Sequence, residues 1–200
     1  VTLERGDIRS ELTATTHAAH HRYQFGAAVK NPVLLFDLDH HLESGEIKDA
    51  ELRIDAATHR ISGRLHSLGE MSDGYGGYQV YFVARTRSAW REQLVYSAGM
   101  APAAGTQAMG KGVGAVLIFD APPTGGEAQP IEVQLALSLV SEENAAKNLD
   151  AELPAWQFEA TQKATAADWQ KLLTTVRITG GSEPERRMFY SSLYRSFLMP

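Results

Sequence analysis

Ile131-Glu132-Val133-Gln134-Leu135-Ala136-Leu137-Ser138-Leu139-Val140-Ser141-Glu142-Glu143 decides how the rest of the chain is read. Ile131, Val133, Leu135, Leu137 and Leu139 alternate with Glu132, Gln134 and Ser138, the two-residue period of a strand with an apolar and a polar face. At Ser141 the period changes. Ser141 is placed to cap a helix, Glu142 and Glu143 sit at the positive end of its dipole, and Ala145, Ala146 and Leu149 are good helix formers. The chain therefore divides near Val140 into a β region, 1–140, and a helical region, 141–200.

Working back from that strand, short alternating segments recur. Ile8, Leu12 and Ala14 oppose Arg9, Glu11, Thr13 and Thr15, and the threonines suit a pleated, half-solvated face. Tyr23 and Phe25 follow on one face. After Pro32, Val33-Leu34-Leu35-Phe36 is continuous enough to read as a central strand buried on both sides. Residues 46–67 read as a hairpin turning at 57–59, with Leu52, Ile54 and Ala56 on one arm and Ile61 and Leu65 on the other. A glycine-rich loop, 71–77, feeds Tyr78, Val80, Phe82 and Ala84; strands at 94–97 and 113–119 complete the series. The loops between them include APAAGTQAMGKG and APPTGGEAQP. This spacing predicts a mainly β fold, a large antiparallel sandwich followed by C-terminal linker helices, with Leu12, Leu35, Ile54, Phe82, Ile118, Val133, Leu135 and Leu137 inside.

Working forward, residues 150–154 turn the chain, and Thr165 with Asp168 has capping-box spacing ahead of Trp169, Leu172, Leu173 and Val176. Gly180-Gly181 then separates this helix from a closing one. Ser182 and Glu185 repeat the capping spacing and Pro184 occupies the first turn. Phe189, Leu193 and Phe197, with Tyr190, Tyr194 and Leu198 alongside, make an apolar face wide enough to need a partner, and it runs to Met199.

Two hundred residues, 44% of them hydrophobic, can bury a real core. A net charge of −5 with scattered Lys and Arg gives no polyanion-binding stripe, so nucleic acid is not an expected partner. No apolar run approaches the roughly 20 residues of a membrane helix, so no membrane is expected either. VTLERGDIRS has neither the basic nor the apolar segment of a signal peptide. The absence of cysteine excludes disulfides and thiolate metal sites.

Four constellations could carry chemistry. His17, His20 and His21 resemble a ligand cluster, but His20 and His21 are neighbours on a strand and face opposite ways, so the three read as surface histidines without tight metal binding. Asp37, Asp39, His40 and His41 crowd a strand end, where a metal or sugar contact competes with a plain strand terminus; the alternating acids of a calcium loop are missing. Asp73-Gly74-Tyr75-Gly76-Gly77-Tyr78 joins an acid to aromatics able to stack on a sugar, or is simply a hairpin loop. GKGVGA, 110–115, lacks the ending of a phosphate loop and precedes a strand. No nucleophile motif occurs, and the two carboxylates that glycoside hydrolysis needs cannot be located by spacing.

FYSSLYRSFLMP, 189–200, resembles the FYTALYHT-type helix leading into the catalytic domain of glycoside hydrolase family 92, the calcium-dependent exo-α-mannosidases. ELTATTHAAHHRYQF, 11–25, SLVSEENAAKNLDAELPAWQF, 138–158, and the Trp169 helix agree with it in order. The resemblance spans essentially the whole chain. It implies a galactose-mutarotase-like supersandwich, incomplete at its N-terminus, and a helical linker to a helical-barrel domain that packs on residues 182–200. It further implies that the general acid, general base and calcium ligands lie beyond Pro200 and the substrate-loop contacts ahead of Val1. No catalytic, substrate-binding or metal residue is therefore assigned here. The expected parent is a secreted, periplasmic or extracellular bacterial enzyme. It would remove terminal mannose, in α-1,2 linkage, from glycans with inversion. Alternatives are a stand-alone carbohydrate-binding sandwich using Tyr75 and Tyr78, or a mutarotase-like epimerase with a histidine and a carboxylate facing each other on the concave sheet.

Overall fold

A computed structural model describes residues 1–3, 7–41, 45–69, 72–120 and 129–198. They fall into two compact units, Val1–Phe158 and Glu159–Pro200. The first holds the strands β1 (Thr2–Leu3), β2 (Ile8–Ala14), β3 (Ala18–Phe25), β4 (Val33–Asp37), β5 (Glu46–Asp55) and β6 (Arg60–Leu68). It continues with β7 (Tyr78–Thr86), β8 (Glu92–Tyr96), β9 (Ala103–Ala104), β10 (Gln107–Gly110), β11 (Gly114–Ile118) and β12 (Ile131–Ser138), and then helix α1 (Glu142–Glu152). Helices α2 (Phe158–Leu173) and α3 (Glu183–Leu198) follow.

Among the described residues the strands make an eight-stranded sheet, β1-β2-β3-β12-β7-β6-β5-β10, and a four-stranded sheet, β4-β11-β8-β9, with antiparallel pairing throughout. This is the antiparallel sandwich the alternation predicts. Residues opposite each other in a ladder share a face, which sorts the large sheet into two. Leu12, His21, Val133 and Thr86 form one row on the inner face, toward the small sheet; Thr13, His20, Gln134, Arg85 and Arg60 form the next row on the outer face.

The core between the sheets is led by Leu52, Ile61, Val113, Ala115 and Leu117, all fully buried, with Ile54, Phe82 and Val133 beside them. Each large side chain sealed this way contributes about 1.5–3 kcal/mol. Gly63 is required at its place in β6, because a Cβ there would meet the carbonyl oxygen of Glu51 at 1.9 Å. On the outer face α1 packs Ala145, Leu149 and the following Leu153 onto Ala18, Val83 and Ala136, small residues that let the helix sit close. Ser141 caps α1 as its sequence indicates, accepting a hydrogen bond from the Asn144 amide at 3.0 Å.

Several expectations are corrected. β4 is an edge strand, with Val33 43% and Leu35 59% exposed, because its far side has no neighbour among the described residues. In β11 the inward set is Ala115 and Leu117, which leaves Ile118 on the other face and half-buried. Leu12 and Leu137 do point to the inner side, but the small sheet is too narrow to cover them, and they are 54% and 46% exposed; Leu135 is half-buried for the same reason. Glu132, Gln134 and Ser138, the polar face of the opening stretch, are buried beneath α1 and the segment after it.

Helix α2 begins at Phe158, the last residue of the first unit, so Thr165 lies inside the helix rather than at its cap. Ala-rich 159–167 has high helix propensity, which carries the helix through a spacing that elsewhere marks a start. Gly180 and Gly181 both adopt left-handed backbone, φ +81° and +70°, which glycine adopts without a Cβ penalty. The Ser182 amide then donates to the Glu185 carboxylate at 2.7 Å, the reciprocal half of a capping box. Trp169 and Tyr194 stack at 4.6 Å between α2 and α3, and no residue of α3 is buried. Tyr194, Phe197 and Leu198 stay 40–50% exposed. Met199 and Pro200 lie outside the described residues, as do Met71 of the glycine-rich loop and most of APPTGGEAQP.

Candidate functional site

The histidines separate completely. His17 is exposed in the β2–β3 turn, its Nδ1 2.6 Å from Glu152 Oε1 at the end of α1, and its amide donates to Glu152 Oε2 at 2.9 Å. Burial opposes ionisation of Glu152, but hydrogen bonds from Thr15 and from the His17 amide and ring outweigh it and hold the carboxyl below its ordinary value. His20, read as a surface residue, is fully buried on the outer face, its Nε2 2.8 Å from Glu132 Oε2. Arg87 donates to the other oxygen of Glu132 at 2.5 Å. His21 faces the inner side, and its Nδ1 lies 2.9 Å from the Tyr23 hydroxyl. Burial, helped by the charge of His20, lowers the His21 pKa, and burial raises that of Tyr23.

Around His20 lies a cluster that sequence reasoning missed. Its ring meets Trp156 and Phe158 edge-on at 5.6 and 5.2 Å, and the Arg22 guanidinium stands 4.3 Å from the Phe158 ring centroid. Gln134 accepts from Arg85 Nε at 2.9 Å and donates to the Ala155 carbonyl at 2.9 Å. The signal was present as polar residues at even positions of β12, yet alternation reads such positions as solvent-facing unless a covering element is known.

On the inner face a cavity of about 300 Å³ is bordered by His21, Tyr23 and Asp37, with an aliphatic floor that includes Leu135, Leu137 and Val80. It thus brings a histidine and a carboxylate to one cavity, the arrangement an epimerase reading calls for. Both groups have other partners. Asp37 Oδ1 accepts the Asp39 amide at 2.9 Å, and Asp39 Oδ1 accepts the Gly112 amide at 3.2 Å, so DLDHH closes a turn and ties it to the β10–β11 loop. His40 and His41 are exposed. The hydroxyl of Tyr96 is pushed up by burial and then by the charges of Asp37 and Asp39.

Asp73–Tyr75 forms a 3₁₀ turn that presents Tyr75 93% exposed, with Tyr78 49% exposed at the start of β7. His66 Nε2 lies 2.7 Å from the Gly76 carbonyl and steadies the loop. GKGVGA links β10 to β11 and opens no helix. Among the described residues no group of three or more His, Asp or Glu could hold a metal ion, and no helix is long and apolar enough to cross a membrane. Among the described residues Glu132 is the one buried acid, and it is engaged by His20 and Arg87.

The family description "Glycosyl hydrolase family 92 N-terminal domain" matches residues 1–138. The chain belongs to glycoside hydrolase family 92. The family's catalytic domain description takes over at residues 144–200. An "Uncharacterized secreted glycosidase" of Arthroderma benhamiae is 28% identical over 96% of this chain, which covers 27% of that protein. Among solved structures, the GH92 family glycosyl hydrolase ccman5 superposes with a TM-score of 0.84 at 29% identity, over 98% of this chain and 25% of its own. A family GH92 inverting mannosidase of Bacteroides thetaiotaomicron shares the fold, with a TM-score of 0.85 at 22% identity over 100% of this chain and 25% of its own. The chain thus spans about a quarter of the length of these family 92 relatives.

Proposed function

We propose that this chain supplies the β scaffold and first helices of an exo-acting α-mannosidase. The parent would release terminal mannose, of α-1,2 linkage, from glycans with inversion. The observation that carries the reading is the order of the two family 92 matches, N-terminal domain then catalytic domain, along one continuous chain. An inverting glycosidase needs a protonated carboxyl at the leaving oxygen and an ionised one activating water, about 6.5–9.5 Å apart. Both, and the calcium ion the parent would use, are assigned to polypeptide outside residues 1–200. This segment alone is accordingly inactive, and its part is to shape and hold the active-site rim. The helical-barrel domain packs on residues 182–200, whose exposed Tyr194, Phe197 and Leu198 offer the surface. A periplasmic or extracellular location fits a secreted relative.

The test is hydrolysis of an aryl α-mannoside by the 200-residue chain and by the polypeptide extended to the length of its relatives, with and without a calcium chelator. Turnover by the long form only, abolished by chelation, is expected; turnover by the short chain contradicts the assignment. A carbohydrate-binding module is favoured by one feature, the exposed Tyr75 and Tyr78. Calorimetric titration of the chain with mannose and mannobiose, lost in Tyr75→Ala, would support that reading instead.

A further inference from the structure

We propose that residues 153–158 are an anchoring strap, fastened to the outer face of the eight-stranded sheet. Through it the first stretch of catalytic-domain sequence is held by the β unit. Two side chains of the sheet read the strap's backbone. Arg85 of β7 donates to the Leu153 carbonyl and Gln134 of β12 donates to the Ala155 carbonyl at 2.9 Å. Arg85 also donates to Gln134 at 2.9 Å, so the two readers hold each other in place. The segment is bent at residues 154–155, with the Gln157 amide donating back to the Ala155 carbonyl at 3.1 Å, and the two sheet donors fix that bend by its carbonyls while Pro154 and Ala155 face solvent.

The side chains agree. Leu153 and Phe158 are 1% and 2% exposed, and the ring of His20 is wedged edge-on between Trp156 and Phe158. Behind the ring stands Glu132, and over Phe158 the Arg22 guanidinium. A flexible tether would need neither a buried Phe158 and half-buried Trp156 nor donors aimed at its carbonyls.

The boundaries supply the third argument. Catalytic-domain sequence begins at residue 144, whereas the compact β unit runs to Phe158. Residues 144–158 are therefore catalytic-domain family in sequence and β unit in structure, with Ala145 and Leu149 wholly buried in the outer-face cluster. A catalytic part cut at residue 144 would carry that apolar face into water, and a β part cut there would lose its cover. The inference rests on the family assignment of residues 144–200 and not on the mannosidase reading.

Hydrogen exchange of the full 200-residue chain, followed by mass spectrometry, tests it without reference to turnover. In Gln134→Ala and in Trp156→Ala, amides of residues 142–158 should exchange about ten-fold faster or more, while those of β5 and β6 keep their rates. Unchanged strap amides in both variants would show that these contacts do not hold the strap. Equal acceleration of β5 and β6 would make the cluster an undivided part of the core, which also overturns the proposal. Should Gln134→Ala lose protection everywhere by failing to fold, Trp156→Ala, which removes only a strap side chain, decides by the same two readings.

Discussion

His20 Nε2 lies 2.8 Å from Glu132 Oε2 with both side chains buried, and the more exposed Arg87 pairs with the other oxygen of the carboxylate. Removing one member of a buried pair leaves its partner desolvated and uncompensated, which costs about 3–5 kcal/mol. Glu132→Ala should lower stability by that order in urea denaturation. A loss below about 0.5 kcal/mol would place the pair with exposed bridges, whose net worth is small.

His21 predicts a pH dependence. Its folded pKa is depressed below the ordinary histidine value of 6.5, by burial first and by the charge of His20 second. The unfolded chain therefore binds the proton more readily, so stability is complete above about 6.5 and falls as the pH drops through the lowered folded value. His21→Phe should flatten the stability profile between pH 7 and 5. An unchanged profile in His21→Phe contradicts the assignment.

Leu52 and Leu137 share an inner-face row, Leu137–Phe82–Gly63–Leu52, but only Leu52 is sealed. Leu52→Ala should cost about 2–5 kcal/mol. Leu137→Ala, at 46% exposure, should cost well under half of that. Equal losses in chemical denaturation would mean that the inner-face cavity lined by Leu137 is covered in solution.

The contrast between these two leucines shows where the sequence was legible. Alternation identified the strands and the face each leucine takes, the change of period at Ser141 located α1, and residues 189–200 pointed to the family. How far a facing residue is covered is different information, because it depends on the width of the opposite sheet. Leu12 and Leu137 fail on that point, whereas Leu35 lies opposite Val116 on the face of the small sheet turned away from the core. Polar residues at even positions of β12 fail in the opposite sense: a helix and a strap from later in the chain bury Glu132 and Gln134, which no local period records. Thr165 shows the same limit within a helix, where capping spacing recurs without a cap.

Residues 1–158 contain both buried clusters, and α3 contributes no buried residue. A chain ended after Gly181 should therefore keep the urea midpoint of the β unit and, having lost the exposed Tyr194, Phe197 and Leu198, should self-associate less in sedimentation velocity. Unfolding of the β unit on this truncation would make α3 part of its core.

The stereochemistry of the first product tests the central reading most directly. With the polypeptide extended to the length of its relatives acting on an α-1,2-linked mannobioside, proton NMR at early times should show β-mannose appearing before mutarotation supplies the α-anomer. The α-anomer first, or no mannose released at all, would contradict the account.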